Sequence, residues 1–183
     1  VPQYKQLLTT KAVEIVHYDN CDMAKEMLDN SNFDPEEIAY LTAYLQDPEA
    51  KMTVVFDKYG AGNPDGILIY RHLATTALFA EFSDIKIASY IRENTSGKIV
   101  LFSAYYTRKH SKVDELEQLL LTEALAKCLS EDYTYAIFSP KLGEISRSFI
   151  DVLKRQGFVR YRDTLDMRYI FLVDMKNPIT FSH

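Results

Sequence analysis

The chain has 183 residues, 47% hydrophobic and 26% charged, with a net charge of −5; this is ordinary globular composition, long enough to bury a core without disulfide or metal staples. The acidic balance excludes a surface built to neutralise nucleic-acid phosphates, which needs clustered Lys and Arg. No apolar run reaches bilayer length and no secretory pattern stands at the start, so a cytoplasmic location with no membrane contact is expected. Cys21 and Cys128 are far apart without metal-ligand spacing and read as reduced thiols. His17, His72 and His110 show no mutual spacing either, so no metal is expected. The chain starts at Val1 and ends soon after its last apparent strand. The expectation is a single domain over 1–183, excised from a longer protein whose other domains would be partners.

In chain order, Lys11 to Tyr18 alternates apolar and polar side chains, the pattern of a half-buried strand. Asn20 stands where a cap belongs, ahead of an amphipathic helix over Cys21 to Leu28. Asp34-Pro35-Glu36-Glu37 opens a second helix, with a proline at its first position and acids in its first turn. That helix is predicted to run to about Leu45. Met52–Asp57 and Gly66–Arg71 read as strands, joined by a hairpin loop over Lys58 to Asp65. Gly60-Ala61-Gly62 in that loop is no dinucleotide fingerprint, because such a turn must lead from a strand into a helix. Between His72 and Asn94 the pattern is least regular, and a strand plus a short helix is expected. Asn94-Thr95-Ser96 matches a glycosylation sequon but reads as an exposed turn.

Beyond Ser96-Gly97 the signals sharpen. Lys98–Tyr106 is a strongly apolar strand. A long helix is predicted over Val113–Leu129, with Ser111 and Asp114 placed as a capping pair at its start. Tyr133–Phe138 is a strand and Ser146–Arg155 a helix, with Gly157 where a left-handed cap belongs. Val159–Tyr161 and Met167–Val173 close the chain as a strand pair. Strand–helix–strand units favour parallel neighbours, whereas hairpins are antiparallel. The fold class is therefore α/β: a mixed, mostly antiparallel sheet with one parallel strand pair, Lys98–Tyr106 beside Tyr133–Phe138, and helices on both faces.

This order resembles the Gcn5-related N-acyltransferases, the GNAT superfamily. The residues that carry the resemblance are KIVLFSAYY, the helix ending LLLTEALAKC, YTYAIFSP and SFIDVLKRQGFVRY, and they cover the C-terminal half. The resemblance implies an acyl-CoA N-acyltransferase-like fold, acetyl-CoA or another acyl-CoA as acyl donor, and transfer of the acyl group to an amine. It also implies a cofactor signature Q/R-x-x-G-x-G/A between the fourth strand and the next helix. Glycines there let the backbone approach the pyrophosphate, and amides at the helix start bind it. In one register Arg108 takes the first position, with Ser111 and Val113 replacing the glycines; in the other, set by the leucines, Glu115 and Glu117 replace them. Both registers break the signature.

Arg108, Lys109, Ser111, Lys112 and Val113 are the candidate cofactor-binding residues: a basic cluster at a helix start, suited to CoA or another anionic small molecule. The alternative is a solvated basic loop balanced by Asp114, Glu115 and Glu117. In the family a tyrosine that protonates the departing thiolate sits four residues before the Gly of Gly-Phe; here that position is Leu153. An asparagine often found earlier on the same helix maps near Ser146. No carboxylate on Lys98–Tyr106 is placed to act as base. Tyr105, Tyr106 and Tyr135 are the catalytic candidates, although with 13 tyrosines in the chain most are packing residues. These departures imply weak or absent activity. A non-catalytic domain of the same fold, sensing a ligand or serving assembly, is the competing expectation. A nucleotide-binding domain trails both for want of a phosphate loop.

Overall fold

The computed structural model describes residues 13–57, 63–111, 113, 115–140, 144–163 and 168–177. Its strands are β1 (Val13–Tyr18), β2 (Lys51–Asp57), β3 (Pro64–Leu73), β4 (Lys98–Thr107), β5 (Tyr133–Phe138), β6 (Val159–Asp163) and β7 (Arg168–Asp174). They form one seven-stranded sheet in the order β1-β2-β3-β4-β5-β7-β6. β4 and β5 run parallel, with Val100 opposite Ala136 and Phe102 opposite Phe138. The pairs β1–β2, β2–β3, β5–β7 and β6–β7 are antiparallel. The helices are α1 (Cys21–Asp29), α2 (Pro35–Ala43), α3 (Leu78–Glu81), α4 (Ile85–Asn94), α5 (Leu116–Ser130) and α6 (Arg147–Arg155). The mixed, mostly antiparallel sheet expected from the element order is therefore the sheet observed.

The chain divides into two compact units, and β3, β4 and α5 each contribute to both. One unit combines the described residues up to Arg71 with Ser103–Ala124. In it, Ala24 and Leu28 of α1 and Leu41 of α2 share a core with Met52, Val54, Ile67, Ile69 and Ala104. Strand alternation turns Gly66 to the opposite face. There a β-carbon on Gly66 would come within 3.1 Å of Leu116 Cδ1 and 3.2 Å of Leu120 Cδ2, so α5 lies close against bare backbone. The other unit holds His72–Phe102 and the residues from Leu125 onward. Here Leu78 of α3, Phe82 just after it, and Ala88 and Ile91 of α4 cover Ile99, Leu101, Ile137, Ile170 and Leu172. On the other face Phe102 stacks on Phe138 at 6.3 Å, and Phe138 meets Phe149 of α6 at 5.4 Å. Each unit thus has helices on both faces of its strands.

Most local signals act as expected. The Asn20 side chain accepts from the amides of Asp22 and Met23 and starts α1. Ser146 accepts from the Phe149 amide and starts α6. Gly157, at φ 94°, ends α6 in a Schellman arrangement. The Phe158 amide donates to the Leu153 carbonyl and the Gly157 amide to that of Lys154, each at 3.0 Å. Leu153 and Phe158 are both fully buried across that turn.

Three expectations are corrected. The segment 75–94 holds no strand: after a 3-10 turn at Thr75–Ala77 come α3 and α4. Asp84 caps α4 through the Lys86 amide, and Ala88 and Ile91 are buried at helical spacing. The second helix stops at Ala43, with Tyr44 and Leu45 closing it through tighter bonds to Leu41 and Thr42. The long helix begins at Leu116, not near Val113. Glu115 is left-handed at φ 53°, a conformation that a right-handed helix excludes, and its carbonyl accepts the first helical bond from Leu119. The glycine-rich part of the β2–β3 loop lies outside the described residues, but Pro64 and Asp65 already belong to β3.

Candidate functional site

The site is assembled in the first unit, where the start of β3, the end of β4, the loop that follows and the start of α5 meet. It begins with an irregularity. Val55 pairs with Gly66 and Phe56 with Pro64, so Asp65 is the extra residue of a bulge. A bulge re-aims the side chain that it displaces. Asp65 is buried, at 4% exposure. Its main-chain carbonyl accepts the Arg108 amide at 2.7 Å. One carboxylate oxygen lies 3.5 Å from Arg108 Nε, and the other accepts the Ser111 hydroxyl at 2.6 Å. Ser111 Oγ in turn accepts the Val113 amide at 3.1 Å.

Arg108 and Ser111, expected to face an anion, thus meet a carboxylate of the chain itself, and Val113, expected to do the same, gives its amide to Ser111. Lys109 and His110 are exposed, and His110 is left-handed at φ 64°. Lys112 and Asp114 lie outside the described residues.

Tyr105 and Tyr106 are successive strand residues and point to opposite faces. The Tyr105 hydroxyl donates to Glu117 Oε2 of α5 at 3.0 Å and stands 3.4 Å from the Thr107 hydroxyl. Tyr106 packs edge-on against Phe33 at 5.1 Å. Burial first, then the Glu37 carboxylate that accepts its hydrogen bond, push the Tyr106 phenol up to about 12, against a smaller opposite pull from Arg108. Arg108 is therefore shared between Asp65 and Tyr106. Tyr135 belongs to the other unit, on β5, where it packs against the core of α3 and α4.

No protein-family model matches the sequence, and no curated protein matches it in sequence. Solved structures do match. A Desulfovibrio desulfuricans protein assigned to the GNAT acetyltransferases superposes with a TM-score of 0.56 at 10% identity, covering 90% of this chain and 99% of that one. Arabidopsis thaliana NAA60, solved with acetyl-CoA, gives 0.56 at 9% identity over 90% and 99%. The Drosophila melanogaster polyamine N-acetyltransferase gives 0.55 at 8% over 88% and 100%. This chain has the GNAT fold. Identities this low carry the fold and leave the chemistry to the residues present.

Within that GNAT fold, Leu153 is fully buried and serves the α6 cap, and Ser146 is spent as the N-cap of the same helix. Among the described residues no group of His, Cys, Asp or Glu could hold a metal, and no helix is long and apolar enough to cross a membrane. Two further side chains carry no local sequence signal of their role. Asp65 falls in a stretch of loop composition, and its aim depends on the β2–β3 register. Ser139 follows the last residue of β5, and its hydroxyl is shielded from solvent without a hydrogen-bond partner. Such a group costs about 1–3 kcal/mol unless something satisfies it. It stands at the C-terminal end of a parallel strand, where α/β sheets place ligands.

Proposed function

We propose that this chain is an acyl-CoA N-acyltransferase-like domain that binds its acyl donor weakly and transfers the acyl group to an amine slowly or not at all. The observation that carries the reading is the parallel pair β4–β5 inside an otherwise antiparallel seven-stranded sheet, an arrangement shared over nearly the whole chain with acetyltransferases. Such a transfer breaks the thioester C–S bond, forms a C–N bond and leaves the amine proton on the CoA sulfur. Arg108, Lys109, Ser111, Lys112 and Val113 would face the CoA phosphates.

Low activity is supported by what these residues already do. The donors on Arg108 and Ser111 suit a phosphate in kind, but Asp65 holds the Ser111 hydroxyl and lies against the Arg108 Nε. Glu115 has the left-handed backbone that a glycine would supply, at a glycine position of the leucine register, yet it brings a carboxylate. Leu153 can donate no proton. A thiol-release assay with acetyl-CoA and a panel of polyamines, amino acids and peptides tests the reading. Turnover below about 1 per second is expected; typical enzymes exceed it. Turnover in the ordinary range would sink the low-activity part.

The second reading is a non-catalytic ligand-sensing or assembly domain, and the filled loop at Asp65 favours it. A thermal-shift series separates the two. A donor at 100 times its dissociation constant raises stability by about 2.7 kcal/mol. No shift with any acyl-CoA leaves only the non-catalytic reading.

A further inference from the structure

We infer that Asp65 is a resident anion: its carboxylate fills the anion site formed by Arg108 and Ser111 and so keeps phosphate-bearing ligands out of the loop between β4 and α5. This rests on the reading of that loop as the place of the CoA phosphates, and it specifies what regulates access to it. Two independent features carry it. The first is the bulge, which leaves Asp65 with no partner on β2 and turns it out of the β3 alternation. The second is the burial of the carboxylate among donors that all belong to the loop. Its oxygens take Arg108 Nε at 3.5 Å and Ser111 Oγ at 2.6 Å, while its carbonyl takes the Arg108 amide at 2.7 Å.

The competing account makes Asp65 a buttress that orients Arg108 toward an incoming phosphate. That account fits the guanidinium, which is one-third exposed and has further N–H groups. It does not fit Ser111. A hydroxyl has one hydrogen to give, and Ser111 gives it to Asp65 while accepting the Val113 amide. One hydroxyl and one amide of the loop therefore point inward. A phosphate that approached would lose both donors and meet a buried negative charge at close range.

The test is titration with inorganic pyrophosphate at low salt, by calorimetry, on the whole chain. The proteins are the wild type, Asp65→Asn and Asp65→Asn with Arg108→Ala, each checked for folding by circular dichroism. Asp65→Asn keeps the shape and removes the charge. It should bind pyrophosphate at least about tenfold more tightly than the wild type, since a unit charge a few ångströms away is worth more than that at an effective dielectric near 20. Adding Arg108→Ala should remove the gain. Asp65→Ser, smaller and also neutral, carries the same test should the asparagine variant not fold. Affinity unchanged or lower in the neutral variants would overturn the inference, lower affinity being the result of a buttress. A gain that survives Arg108→Ala would also overturn it, because the anion then sits elsewhere. The acyl-CoA reading is judged apart from this by titrating CoA: a gain for pyrophosphate with none for CoA keeps the role of Asp65 and rejects CoA as the ligand.

Discussion

Gly97 shows how much a single residue can be constrained by a neighbouring strand. Its φ is +101°, and a β-carbon there would come within 2.7 Å of Thr134 Oγ1. Thr134 is held in place, because it is the extra residue in the β4–β5 register and donates to the Ser96 carbonyl at 3.0 Å. Gly97→Ala therefore carries both a backbone and a steric penalty. A loss on the order of 2–3 kcal/mol is expected in urea unfolding, with little of it recovered unless Thr134 is also shortened. Tyr106 has a different signature. Its phenol is raised from 10.0 to about 12 in the folded state, burial leading and Glu37 second. Because the folded pKa is the higher one, the folded state holds the proton more tightly. The associated stability is complete below about 10 and is lost as pH rises towards 12. Stability measured across that window should fall less steeply in Tyr106→Phe than in the wild type; identical slopes would show that the phenol is not held by this cluster.

At the scale of elements, the ends of α6 rest on named groups and can be tested separately. Ser146→Ala removes the side chain that accepts the Phe149 amide and should cost about 1 kcal/mol. Gly157→Ala forces a β-carbon into a left-handed residue at φ 94° and should cost a further 1–2 kcal/mol or so. The two sites lie at opposite ends of the helix, so their effects in chemical denaturation should add to within about 0.5 kcal/mol; strong coupling would mean that the helix frays as one piece. Sequence legibility also differed from element to element. α1 and α6 were readable because their caps are local: a side chain reaches an amide two or three residues away. α5 was readable in its leucines but not in its start. The left-handed turn at Glu115 has no glycine to mark it, and the Ser111–Asp65 bond answers to β3, which is distant in the chain.

For the molecule as a whole, net charge sets the expectation for ligands. At −5 the chain repels a pyrophosphate-bearing donor, and the attraction rests on the few cations of the Arg108 loop. Binding of acetyl-CoA should accordingly be weak at low salt and be lost at about 1 M, where charges are screened within about 3 Å. Replacing Arg108 and Lys112 by alanine, with folding verified, should abolish whatever binding is seen. Affinity that is indifferent to salt, or that persists in this double variant, would place the ligand away from the loop.

By itself the sequence determined the order and type of nearly every element, the parallel pairing of β4 with β5 and the antiparallel hairpins. These follow from periodicity, from caps and breakers within a few residues, and from the strand–helix–strand connection. It also named the basic cluster, since Arg108, Lys109 and Lys112 fall within five consecutive residues. Only the tertiary structure decided what that cluster faces. Asp65 becomes its counter-ion through one extra residue in the β2–β3 ladder, and Glu117 meets Tyr105 only once α5 is laid beside β4. A bulge and a helix docking are long-range outcomes of register and packing, set by which apolar faces bury together, and no local pattern of residues encodes them.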